Sequence, residues 1–158
     1  MRKNEQKLIE IGLLIYPGCQ LAAIYGLTDL FRIACEWYPD MLTTTNRPSL
    51  RVSHWTLEEG GVHCTWDSHS DKPHVLDYII SPPSIIMPEK MERMAPASEW
   101  ISTHHAKGAI VCSVCAGAFV LAETGLIDGR RATTHWAFAD RLAEQFPNIS
   151  VASEHMII

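Results

Sequence analysis

Two hydrophobic rhythms alternate along this chain. Residues 8–16 (Leu8-Ile9-Glu10-Ile11-Gly12-Leu13-Leu14-Ile15-Tyr16) are nearly unbroken apolar sequence, the pattern of a strand covered on both faces. Pro17-Gly18 stops it. From about Gln20 to Trp37 the spacing is helical, with Ile24, Leu27, Leu30, Phe31 and Ala34 expected on one face. Pro39 and the run 43–48 close that helix with a polar loop. Residues 50–57 alternate and predict a half-exposed strand. Glu58-Glu59-Gly60-Gly61 predicts a hairpin, with 62–66 as its return strand.

A polar linker, 67–73, leads to a short buried strand over 75–80, which Ser81-Pro82-Pro83 ends. One helix is predicted over 88–94. A second starts near Ser98 as N-cap and runs through His105. Gly108 breaks into a strand over 109–114, followed by an abrupt turn at Cys115 and a helix that Gly125 caps. Asp128-Gly129 marks a tight turn. The last helix begins around Thr133 to Trp136. Val151 and Met156-Ile157-Ile158 read as final strand fragments. Strands alternating with helices predict an α/β class with a mainly parallel sheet. An unpaired apolar end would expose a sheet edge, so the expectation is a fragment of a larger fold.

Bulk properties narrow the class. The 158 residues suit one domain. The formal net charge is −5 and no Lys/Arg cluster runs along a helix face, so direct DNA or RNA contact by these residues is not expected. Five cysteines, Cys19, Cys35, Cys64, Cys112 and Cys115, are odd in number and mostly in apolar runs, which predicts reduced thiols in the cytoplasm. No signal peptide is read in residues 1–7, and no apolar run approaches the ~20 residues that span a bilayer.

The chemistry concentrates at Cys115. A strand, a sharp turn and a helix, with small residues Ala116, Gly117 and Ala118 beside the thiol, is the layout of a nucleophile elbow with sulfur as nucleophile. A helix N-terminus there would favour thiolate and attract anions.

Other candidates are weaker. Cys112-Ser113-Val114-Cys115 fits C-x-x-C, but Cys112 is expected inside a strand facing the core, as a small hydrophobe. His54, His63, Cys64, His69 and His74 show no regular ligand spacing, and the adjacent His104 and His105 point apart, so no structural metal is expected. His63 and His69 share a loop region that could trap an ion. Asp29 reads as a solvated helix residue. Trp37, Trp55, Trp66, Trp100 and Trp136 read mostly as core or interface anchors, with Trp66 and Trp136 as pocket walls.

The run from Val114 to Trp136, together with residues 11–18 and 24–31, resembles the PfpI-like, class I glutamine-amidotransferase-like domain at the N-terminus of AraC-family transcriptional regulators. The resemblance covers most of the chain, residues 1–158 forming one such domain. It implies a three-layer α/β sandwich of flavodoxin-like type, with helices on both faces and its C-terminal part cut away. It also implies a DNA-binding helix-turn-helix domain that is absent here.

Catalytic relatives carry His after the elbow Cys, where this chain has Ala116. They carry a Glu near the end of the first strand, where it has Gln20, Leu21 and Ala22. Their oxyanion hole uses Gly-rich backbone, where it has Ser81-Pro82-Pro83-Ser84, two of whose residues lack N–H donors. Cys115 and His135 stay the only catalytic candidates.

The reading is therefore a non-catalytic sensing and dimerisation domain without cofactor, membrane contact or metal. A small effector would be held by Cys115, Ala116, Gly117 and His135, with help from Gln20 and Ser84. His135 has a second reading, as a cap of the first helical turn packed beside Trp136. The alternative function is a thiol-dependent hydrolase or hydratase using Cys115.

Overall fold

A computed structural model describes residues 8–37 and 49–158. The polar loop expected over 39–48 and the N-terminal residues 1–7 lie outside the described residues. Strand β1 (Leu8–Ile15) is followed by helix α1 (Leu21–Trp37), then β2 (Ser49–Glu58), β3 (Gly61–Asp67) and β4 (Leu76–Ser81). Helix α2 (Ala95–Ala106), β5 (Ile110–Ser113) and the short α3 (Gly117–Ala122) come next. A two-residue strand β6 (Arg131–Ala132), helix α4 (Ala139–Gln145) and β7 (Ser150–Val151) complete it. The main sheet has the order β3-β2-β1-β4-β5. It is parallel except for the β2–β3 hairpin, so the expected α/β class holds.

Neighbouring side chains of β2 reveal the layers. His54 meets Thr28 and Tyr25 of α1, whereas Trp55 stacks on Trp100 of α2. Successive strand residues point to opposite faces, so α1 and α2 cover opposite faces of the sheet. This is the three-layer, flavodoxin-like arrangement. Leu13, Leu14, Ile24, Val52, Ile79, Ile101 and Val120 are its fully buried centre. A second cluster, Ala118, Phe119, Ala122, Leu142 and Ile149, joins α3 to α4. All six residues of α3 are buried, because this helix is wedged between the two cores.

Several expectations change. Strand β2 is buried over Arg51–Trp55, not half-exposed, since helices cover both its faces. Its polar positions are hidden by pairing. Arg51 bonds Glu10 Oε2 at 3.6 Å and Asp67 Oδ2 at 3.3 Å, and donates to the Pro73 carbonyl at 3.0 Å. Glu10 also accepts from Ser53 Oγ, the Val75 amide and His74 Nδ1.

Residues 88–94 hold only a 3₁₀ turn at Pro88–Lys90. Helix α2 starts three residues before Ser98. Pro96 favours that first turn, and the Glu123 carboxylate accepts the Met94 amide. Leu30 and Ala34 of α1 are exposed, because the buried stripe is set by Ile24, Leu27, Thr28 and Phe31. Met156, Ile157 and Ile158 form no strand and are exposed.

His54 couples this packing to pH. Its ring lies between Trp66 and Tyr25, and Thr28 Oγ1, which donates to the Ile24 carbonyl, accepts from its Nε2 at 2.8 Å. Burial holds its pKa below the ordinary 6.5. The unfolded chain therefore takes up this proton first on acidification. Stability is present in full above about pH 7.5 and is lost as pH falls through about 6.5 toward the folded value. Burial lowers the His104 pKa too, which acts in the same direction. Urea midpoints between about pH 5.5 and 8 are expected to fall with acid. His54→Gln is expected to flatten that slope.

Candidate functional site

The elbow is present. Strand β5 runs parallel to β4, with Ser81 opposite Ser113. The Val114 amide extends that pairing to the Ser81 carbonyl at 2.9 Å. Cys115 then turns sharply with φ of 55°, the one non-glycine residue with positive φ among the described residues. That conformation costs about 1–2 kcal/mol for an L-residue. It holds because α3 is anchored on both cores immediately afterwards. Gly117 makes this possible: a Cβ there would lie 2.3 Å from the Ser81 carbonyl oxygen and 2.6 Å from that of Pro82.

Cys115 is half-buried, and its neighbours hold the turn through backbone carbonyls. Thr134 Oγ1 donates to the Cys115 carbonyl at 2.8 Å, tying the 133–136 segment to the turn. Tyr16 is 2% exposed and donates its hydroxyl to the Pro82 carbonyl at 2.6 Å. Burial, then the nearby Cys19 and Cys115, pushes this phenol above its ordinary range, so it stays a proton donor. Sequence reasoning treats Tyr16 as the end of a strand. Its signal was its place just before Pro17-Gly18, where a strand of this fold delivers its last side chain to the sheet's carboxyl edge.

The remaining expected residues are partly committed elsewhere. Gly117 N–H donates to the Val114 carbonyl, which takes it from the pair of amides expected to face a ligand. Ala116 is fully buried. Ser84 Oγ donates to the Gly18 carbonyl at 3.1 Å and accepts the Ile86 amide, and Cys19 and Ser84 pair across a bridge. Gln20 is exposed, and its backbone N–H donates to the Pro83 carbonyl. His135 is exposed, and its Nδ1 accepts the Ala137 amide at 3.2 Å as the cap of the Trp136–Phe138 turn. Its ring lies 5.3 Å from that of Trp136. Among the described residues no hydrogen bond reaches Cys115 Sγ and no carboxylate pairs with it.

Cys112 does lie in β5, yet it is exposed rather than core-facing, because β5 is the sheet's edge. Helix α3 has six residues, too short for a strong dipole at Cys115. Two hollows open elsewhere. One, of about 500 Å³, lies between α2 and the α4 end, lined by Arg93, Ser98, Glu123, Asp128 and Asn148 among others. The other, of about 620 Å³, lies between α1 and the β2–β3 hairpin, with Tyr25, His54 and Trp66 on its walls and Asp29 and Arg32 at its rim. Neither is lined by the elbow residues. Trp66 walls the second, while Trp136 is 77% exposed.

The family model of the DJ-1/PfpI family matches residues 52–156. The chain belongs to the DJ-1/PfpI family. Isonitrile hydratase of Pseudomonas putida is 31% identical over 140 residues, covering 85% of this chain and 55% of that protein. The HTH-type transcriptional regulator CdhR of Pseudomonas aeruginosa is 39% identical over 67 residues, covering 42% of this chain and 20% of the regulator. The crystal structure of an AraC family transcriptional regulator from Pseudomonas putida superposes with a TM-score of 0.59 at 15% identity, covering 93% of this chain and 76% of that one. The matched part of this DJ-1/PfpI chain thus covers about half the length of the hydratase and a fifth of the regulator. No described helix is long and apolar enough to cross a membrane.

Proposed function

We propose that this DJ-1/PfpI chain is the sensing and self-associating domain of an AraC-type transcription regulator, acting in the cytoplasm and without a reaction of its own. The observation that carries this reading is the state of the elbow. Its backbone geometry is complete, but the groups that a thiol enzyme needs as base and orienter are engaged otherwise. His135 spends Nδ1 on a helix cap, and the Tyr16 and Thr134 hydroxyls donate to carbonyls. The similarity to CdhR supports the same reading. A small polar effector would sit over Cys115 and His135, with Gln20 at its edge. DNA contact belongs to a further domain, in keeping with the net charge of −5. On the outward face of α1, Leu30 and Ile33 are about half exposed, which supports a homodimer.

One observation favours a second reading: the 31% identity with an isonitrile hydratase extends over most of the chain. Thiol-dependent hydration of an isonitrile at Cys115 is that alternative. Two measurements separate them. A metabolite screen by thermal shift is expected to find a ligand that raises the midpoint, with the rise lost in Cys115→Trp, whose bulk would displace a ligand held at the turn. Isonitrile turnover by the chain, abolished by Cys115→Ser, would replace the sensor reading with the enzyme.

A further inference from the structure

The hairpin strand β3 and the approach to β4 bring three chemically distinct donors together. Cys64 Sγ, an Asp67 carboxylate oxygen and a His74 ring nitrogen lie within 4.8 Å of one another, and all three residues are half-buried. The group sits with Glu10 and Arg51, toward the amino ends of β1 and β2. Cys115 follows the carboxyl end of β5, so the two places are separate.

The hydrogen bonds fix the state of His74. Arg51 has only donors, so His74 Nε2, 3.3 Å from Arg51 Nη2, must accept. The ring proton is then on Nδ1, which donates to Glu10 Oε1 at 2.6 Å. A histidine whose Nδ1 is held by a carboxylate, and whose Nε2 lone pair, now on Arg51 Nη2, lies 3.6 Å from the Asp67 carboxylate and near Cys64, has the tautomer of a metal ligand. His74 Nε2 and Asp67 Oδ2 are 3.6 Å apart, about the ligand–ligand separation of a tetrahedral site with bonds near 2.0–2.2 Å.

Charge points the same way. The buried Glu10 carboxylate and the half-buried Asp67 carboxylate face a single buried guanidinium, Arg51. One divalent ion beside a Cys64 thiolate brings the cluster to neutrality. Arg51 need not leave: Nη1 stays on Glu10 and the Pro73 carbonyl, while only the Nη2 contacts at 3.3 Å lengthen.

We propose that Cys64, Asp67 and His74 form a three-ligand site for a divalent transition metal of zinc type, with a fourth position open to solvent. One sulfur, one imidazole nitrogen and one carboxylate oxygen match zinc rather than magnesium or calcium. On binding, the Cys64 thiol proton goes to solvent, its weak bond to the Trp66 carbonyl at 3.5 Å breaks, and a sulfur–metal bond forms. No electron is transferred. The ion would clip the loop between Asp67 and His74 onto β3. Ligand spacing concealed the site, because the ring of His74 reaches β3 only through the chain reversal that brings it beside Glu10.

Cobalt(II) titration of the chain tests this, because a thiolate ligand gives a sulfur-to-cobalt charge-transfer absorption. One equivalent is expected to bind with that band, and zinc to displace it. Loss of a ligand's hydrogen-bond partner alone typically weakens metal binding roughly 10–100-fold. His74→Gln is therefore expected to weaken binding at least that far, and Cys64→Ser to abolish the band. Cys112→Ser and Cys115→Ser are expected to retain it. Zinc is also expected to protect Cys64 alone from alkylation in the unaltered chain, read cysteine by cysteine by mass spectrometry, which requires no variant to fold. A missing thiolate band, or one that survives Cys64→Ser, would overturn the site. So would zinc that protects Cys115 instead.

Discussion

Gly117→Ala is expected to lower the unfolding free energy by about 3 kcal/mol, at the upper end of what overpacking usually costs. The added methyl would enter a space already filled by the Ser81 and Pro82 carbonyl oxygens, at 2.3 and 2.6 Å. Those oxygens belong to backbone and cannot rotate away. Ser81 is paired to β5 through the sheet, and the Pro82 carbonyl is held by Tyr16. The helix cannot retreat either, since α3 is buried along its whole length between two cores. Gly125→Ala is the matched control. Its Cβ would meet open space, so only the φ of 72° opposes the substitution, for about 1 kcal/mol. Urea unfolding of both variants checks the contrast. Equal losses would mean that the close approach of α3 to β4 does not hold in solution. The same variant is expected to alter access of an alkylating reagent to Cys115, because the turn must shift with the helix.

Such a contact explains which parts of the molecule could be read from the chain. The parallel sheet was legible because β1 and β4 are apolar enough to be covered on both faces. The elbow was legible because only small residues follow Cys115. The surroundings of the elbow were not. Gly117 N–H is turned back to Val114, Ser84 is spent on Gly18, and Tyr16 arrives from a distant strand. These are long-range pairings with no local signature. Strand β2 misled for a related reason. Its Arg51 and Ser53 are polar, so alternation suggested a wet face, yet that face is buried and filled by ion pairs and hydrogen bonds. Polar residues mark exposure only when nothing of opposite character is folded against them. Helix α2 began early because its cap comes from Glu123, far along the chain, while Ser98 lies inside it with its hydroxyl buried and unpaired among the described residues.

The largest single loss is expected at Glu10. Glu10→Ala should destabilise the fold by about 3–5 kcal/mol, the range for removing one partner of a buried ion pair. The carboxylate is 3% exposed and meets the Arg51 guanidinium, the Ser53 hydroxyl, the Val75 amide and the His74 ring. Its removal leaves Arg51, 1% exposed, with only Asp67 as anionic partner, and takes the acceptor from three donors, the Ser53 hydroxyl, the Val75 amide and His74 Nδ1. A surface pair calibrates the claim. Arg32 and Glu36 on α1 are 3.9 Å apart but more than half exposed, so Glu36→Ala is expected to cost under about 0.5 kcal/mol. Combining Glu10→Ala with Arg51→Met tests where the penalty resides. Once the guanidinium is gone, the loss of Glu10 should cost clearly less than it does alone, because most of that loss is an uncompensated buried charge. Strict additivity in urea unfolding would instead assign the cost to the neutral hydrogen bonds, and Arg51 would then be a bystander held mainly by Asp67 and the Pro73 carbonyl.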